Sequence, residues 1–189
     1  MGLQPLTISI FFFGLCSIAL IMGTTCPSSA ADKIQAASWE LSADRLTHEQ
    51  EKDRIEASGN VILKELGKEH PHGVEINADR INYDINNQQV EAIGNLRLRE
   101  RYDEIKASRA QIDLQNETGL FNDATLFRYE NNLHLSGDLL EKTGRHTLHL
   151  ENGKFTSCTA EEGEAPSWSI WSKDVQVDLQ GYAMGRGEH

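Results

Sequence analysis

The sequence holds no Gly-rich phosphate loop, no Gly-x-Ser-x-Gly turn, no cysteine pair at zinc spacing and no His-Glu-x-x-His. Nothing therefore marks nucleotide-driven, acyl-transfer or zinc-hydrolase chemistry. Lys/Arg-rich stretches are missing as well, and 29 acidic against 18 basic residues leave a formal charge of −11. Such a net charge repels the phosphate backbone of a nucleic acid, which is not expected as a partner. No segment after the first 31 residues sustains a 3.6-residue apolar period, which predicts little helix and an all-β class.

Cysteine is scarce, with three in 189 residues. Cys16 lies inside an apolar run and Cys26 follows Gly23-Thr24-Thr25, a poor lipidation motif. Cys158 is then a single thiol, and it reads either as a buried free thiol or as half of a bond to a partner elsewhere. The run from Ile8 to Met22, the polar Pro27-Ser28-Ser29 and the small residues up to Ala31 predict a signal peptide over 1–31 and a periplasmic chain over 32–189. Met1 to Thr7 carries no Lys or Arg, and an uncleaved anchor is the alternative.

The histidines do not form a metal set by pattern. His70 and His72 fall in a polar loop that the next repeat lacks, and His146 and His149 have opposite strand parity. They read, with His134, as surface residues, and no metal or cofactor is expected. Carboxylates are abundant, but nothing marks two as buried together for acid-base work.

What the sequence does contain is repetition. Ala43-Asp44-Arg45-Leu46 and Ala78-Asp79-Arg80-Ile81 are followed by Ala107-Ser108-Arg109-Ala110, Gly137-Asp138-Leu139-Leu140 and Ser172-Lys173-Asp174-Val175. The small residues are 35, 29, 30 and 35 positions apart, which predicts about five stacked units sharing one core. Apolar positions alternate before each small residue (Leu41, Ala43; Ile76, Ala78; Ile105, Ala107; Leu135, Gly137) and resume three positions on (Leu46; Ile81, Tyr83; Ala110, Ile112; Leu140; Val175, Val177). A slip of one would turn a flat strand inside out, so a bulge or bend is expected at the small residue. Each unit reads as strand, kink and strand. Ile55, Ala57, Gly59, Val61 and Leu63 match Val90, Ala92, Gly94, Leu96 and Leu98 as an alternating return strand, with polar turns between.

This Ala-Asp, strand, Gly-Asn unit resembles the OstA-like (LptA-like) twisted β-jellyroll of lipopolysaccharide-transport proteins. Phe155-Thr156-Ser157-Cys158, a short acidic loop and Trp168-Ser169-Ile170-Trp171-Ser172-Lys173-Asp174-Val175 are similar to the end of the periplasmic N-terminal domain in the LptD family of LPS-assembly proteins. The resemblance spans residues 36 to 187.

The resemblance implies a non-enzymatic module whose two sheet layers enclose an apolar groove for the lipid A acyl chains. On this chain Leu41, Val61, Ile76, Leu96, Ile105, Leu126, Leu135 and Val177 would line it, although a filled sandwich would use the same residue types. It also implies end-to-end joining through open edge strands. The strand from Ala36 to Leu46, with Trp39 and Leu41, is the expected docking edge for an LptA-like bridge. Cys158 would match a family cysteine bonded to the C-terminal barrel, and an LptD-type barrel and an LptE-like lipoprotein would be partners in a full assembly. An outer-membrane barrel would show many further alternating segments of about ten residues with aromatic girdles, and no such girdled series is expected from these residues. A stand-alone LptA-like or anchored LptC-like bridge, or a filled envelope scaffold, is the alternative reading. A β-solenoid enzyme would need charged clusters on one face across repeats, where apolar side chains stand.

Overall fold

The computed structural model describes residues 32–36, 38–67, 73–158, 166–181 and 183–186. The expected signal peptide over 1–31, with Cys16 and Cys26, and the loop with His70 and His72 lie outside the described residues. The strands are β1 (Asp32–Ala36), β2 (Trp39–Ala43), β3 (Arg45–Glu49), β4 (Arg54–Glu65), β5 (Val74–Asp84), β6 (Gln89–Glu100), β7 (Asp103–Asp113), β8 (Thr118–Arg128), β9 (Leu133–Lys142), β10 (Thr147–Thr156), β11 (Ile170–Asp178) and β12 (Ala183–Arg186). One 3-10 turn, Gln50–Lys52, interrupts them. All pair antiparallel in sequence order as one open sheet, with β2 and β3 sharing β4 as their neighbour.

The expected change of phase is present. Buried positions run 76, 78, 81, 83 in β5 and 105, 107, 110, 112 in β7. The ladder shows how the facing is kept. Between β4 and β5 the pairs Ser58↔Arg80 and Val61↔Ala78 leave Gly59 and Asn60 opposite Asp79 alone. Between β6 and β7, Gly94 and Asn95 stand opposite Ser108 alone. The extra residue therefore belongs to the return strand, and Gly59 and Gly94, which alternation alone would place on the inner row, are corner residues with φ of 79° and 77°.

Each corner is pinned by a short polar side-chain contact. Asn60 (φ 46°) donates to Asp44 at 2.9 Å, and Asn95 (φ 45°) to Asp79 at 2.9 Å. Two strands on, Ser108 donates to Asp123 (φ 49°) at 2.8 Å, and Asn152 (φ 50°) to Asp138 at 2.7 Å. Asn and Asp tolerate the left-handed region because their short polar side chains bond locally. The far ends of several strands close on Asp turns: the Asn87 and Asn116 amides donate to Asp84 and Asp113, at 3.0 and 2.9 Å.

The corners fold the sheet over on itself. Laid flat, Lys142 lies in register with Gly119 and Ile112, next to Val90. Glu100 is at the other end of β6, roughly 30 Å away at strand rise. Yet the Lys142 ammonium and the Glu100 carboxylate are ion-paired. The segments before and after the corners thus form two layers that cover each other's apolar faces. Tyr83, Phe121, Leu41, Ile55 and Ile76 are among the largest fully buried side chains between them.

A Cβ at Gly94 would collide with Asp79 as well as adopt positive φ, whereas one at Gly67 (φ 74°) meets nothing within 4 Å. Gly67→Ala should cost about 1 kcal/mol, and Gly94→Ala about 2–3 kcal/mol. Urea midpoints of the two variants test this; equal shifts would show that the Asp79 corner carries no load.

Candidate functional site

The first layer has an inner row that continues across the sheet. Ile34, Leu41, Leu63, Ile76 and Leu98 are paired in succession, then Ile105, Leu126, Leu135, Phe155 and Ile170. Five of the expected lining residues, Leu41, Ile76, Ile105, Leu126 and Leu135, fall in this row. Val61 and Leu96 sit beside the corner, opposite Ala78 and Ala107. Val177 belongs to the facing layer, next to Leu148. All eight are buried, with at most 3% of their surface exposed. The structure therefore brings them into one apolar interior, in a closed state.

The expected docking edge is corrected. The stretch from Ala36 to Leu46 is three pieces, and β2 lies between β1 and β4. Trp39 pairs with Ala36 and Glu65, Leu41 with Ile34 and Leu63, and both are buried. The reason lies in Lys33-Ile34, whose alternation lets Ile34 extend the inner row and cover the β2 ladder. At this end the outer edge is β1, with β3 beside it.

Opposite the corners is a mouth where the free ends of the two layers meet. A cavity of about 170 Å³ opens there, lined by Trp39, Val74 and Leu98 from one layer and Ile112, Leu114 and Phe121 from the other. A second opening, about 250 Å³, lies between Leu133, Leu135 and Phe155 and the facing Val177 and Leu179. At both places apolar side chains of the interior meet solvent.

Charges gather at the first mouth. Lys142 is 8% exposed and bridges to Glu100 across the layers. Arg128 holds Asp103 at 3.4 Å and Glu130 at 2.7 Å. The other Asp103 oxygen is buried without a hydrogen-bond partner. Burial raises the Asp103 pKa, and the attraction of Arg128 does not offset it. At the rim the Arg145 guanidinium makes two 2.9 Å bonds to Glu117 and holds that carboxyl below its ordinary range.

Sequence reading missed Lys142 and Glu100. A signal was present: Lys142 keeps the parity of the inner residue Leu140, which puts a cation where the pattern asks for an apolar side chain. Cys158 lies apart from this mouth, on an outward-facing cleft of about 600 Å³ with Lys106, Phe127, Tyr129, His134 and Lys154. Its sulfur accepts from the Ser167 hydroxyl at 3.1 Å, which lowers the thiol pKa. Among the described residues Cys158 is unbonded to another cysteine, and no cluster of His, Cys, Asp and Glu is arranged to hold a metal ion. His149 instead bonds Asp174 at 3.0 Å. In comparisons with known proteins, no family model matches this chain and no curated protein is significantly similar to it.

The two mouth carboxylates should respond to pH in opposite directions. Because the folded-state pKa of Asp103 is raised, its ionisation opposes folding, and the penalty grows as pH rises through that pKa. Asp103→Asn should raise Tm relative to wild type at about pH 7, and the gain should vanish by about pH 3. Glu117, whose pKa is lowered, contributes stability above its unfolded value that is lost as pH falls through the folded one. Glu117→Gln should lower Tm at about pH 7, with the deficit shrinking on acidification; thermal melts across pH check both signs.

Proposed function

We propose that this chain is a non-enzymatic lipid-carrying module of lipopolysaccharide export, an OstA-like β-jellyroll of about five units that accepts acyl chains between its layers and passes them along. The observation that carries the reading is the apolar inner row, which runs through ten paired strands from Ile34 to Ile170, is buried from Leu41 to Leu135 and ends on the exposed Ile170. A row of that length offers a sliding lipid tail the same chemistry at each step, because transfer along it exchanges one apolar contact for another. The similarity of Phe155 to Cys158 and Trp168 to Val175 to the LptD N-terminal domain supports a periplasmic place near the outer membrane. An LptA-like bridge is then a partner at the edge formed by β1, and a barrel with an LptE-like lipoprotein lies beyond Cys158. Transport energy comes from outside the module.

The closed packing of all eight lining residues favours one other reading, a filled envelope scaffold of the same fold. Photo-crosslinking residues at Ile76, Leu96 and Ile105, compared with the outward Asn77, Arg97 and Lys106, separate the two in the presence of purified lipopolysaccharide. Adducts confined to the inward set are the expected result. A folded protein that gives adducts at neither set would be a scaffold.

A further inference from the structure

In the second layer the inner row at the mouth reads Ile55, Tyr83, Val90, Ile112, Gly119, Lys142 and Leu148 in paired order. A lysine interrupts an apolar series. Gly119, its partner in register, makes room for the Phe121 ring, which a Cβ there would meet at 2.9 Å. From this position Lys142 spans the gap to Glu100, at the end of β6 in the other layer, and both line the cavity shared with Trp39, Leu98, Ile112 and Phe121. A buried ion pair is a poor device for stability, because the desolvation of both charges consumes most of their attraction. Its geometry fits a different task.

We infer that the Glu100–Lys142 pair is a latch across the mouth, and that Lys142 passes from Glu100 to the phosphate of an entering anionic amphiphile. The inference rests on the lipid-carrier reading and adds to it the entry point and a selecting residue. For an acyl chain to enter here the layers must part, and parting separates the pair. A neutral lipid leaves Lys142 without a counter-charge in a half-dry place. A phosphate-bearing one brings the charge and the acceptor oxygens that Glu100 withdraws, so the opened state is stabilised only by ligands of that class. Of the three cations that line this cavity, Arg145 is held by Glu117 and Arg101 stands exposed at the rim, so Lys142 is the one whose ion pair the parting of the layers breaks. No bond is made or broken beyond hydrogen bonds and the ion pair.

The test uses the whole chain carrying Cys16→Ser, Cys26→Ser and Cys158→Ser, with Glu100→Cys and Lys142→Cys joined by a short bis-maleimide. Binding is measured with purified lipopolysaccharide, with the same material after enzymatic dephosphorylation, and with inorganic phosphate. The bridged protein should lose lipopolysaccharide binding at least roughly tenfold relative to the unbridged one. In separate variants, Glu100→Gln should tighten binding of the phosphorylated form. Lys142→Met should abolish a preference of roughly tenfold for phosphorylated over dephosphorylated material.

A bridged protein that binds as well as the unbridged one overturns the latch while the carrier reading stands. Retention of the preference in Lys142→Met overturns the selecting role of Lys142. Inorganic phosphate binding as tightly as lipopolysaccharide would make this a phosphate site unconnected with lipid entry, and also overturns the latch. If lipopolysaccharide binds to neither wild type nor the unbridged protein, the carrier reading fails and the latch with it.

Discussion

A sheet with one apolar face must cover that face, and this chain has no helix among the described residues to do it. The sheet covers itself, which makes the corner the constraint on which the rest depends. In the first half of the sheet the turn uses extra residues in β4 and β6, positive φ at Gly59-Asn60 and Gly94-Asn95, and side chains such as Asp44 and Asp79 to hold the bend. A corner that slipped by one residue in any strand would send that strand's inner row to solvent. The Asn-Asp and Ser-Asp contacts are individually worth little, about 0.5–1.5 kcal/mol each. Their place in line makes them set the register for both layers.

The closed interior and the proposed carrier role fit together only if the layers separate. Where they separate is a question of what resists. At the corners the backbone is continuous and bridged by the ladder, so the resistance there is covalent. At the mouth it consists of side-chain packing and the charges of Glu100, Asp103, Arg128 and Lys142. The opening that the proposed role requires is accordingly a hinge motion about the corner line, with its weakest contacts farthest from the axis.

Much of this was legible in the residues themselves. Alternation at Leu41, Ile76, Ile105 and Leu135, and its change of phase after Ala78 and Ala107, identified the inner face, because a half-buried strand has few other ways to distribute its apolar side chains. The location of the extra residue was less legible. The slip shows in β5 and β7, but the register places the insertion in β4 and β6, whose own alternation continues undisturbed across Gly59 and Gly94. The edge was misplaced because a five-residue strand, Asp32 to Ala36, carries a single large apolar residue, Ile34, and reads as a tail until its pairing with β2 is seen. Glu100 and Lys142 were hidden for a different reason. Their relation is created by folding between positions 42 residues apart, which no local period encodes.

The sequential strand order has a consequence for how the chain acquires its structure. Nearly every ladder joins a strand to the next one in sequence, so the closure entropy of each pairing is that of a short loop. An all-β protein of this size would ordinarily fold slowly because its strands must find distant partners. Here a single hairpin can nucleate and its neighbours add one by one on either side, as in a one-dimensional array. A chain that emerges with its N-terminal end first, as every chain does from the ribosome, begins to order before its last strand has arrived, with each newly exposed apolar strand covered promptly by the next.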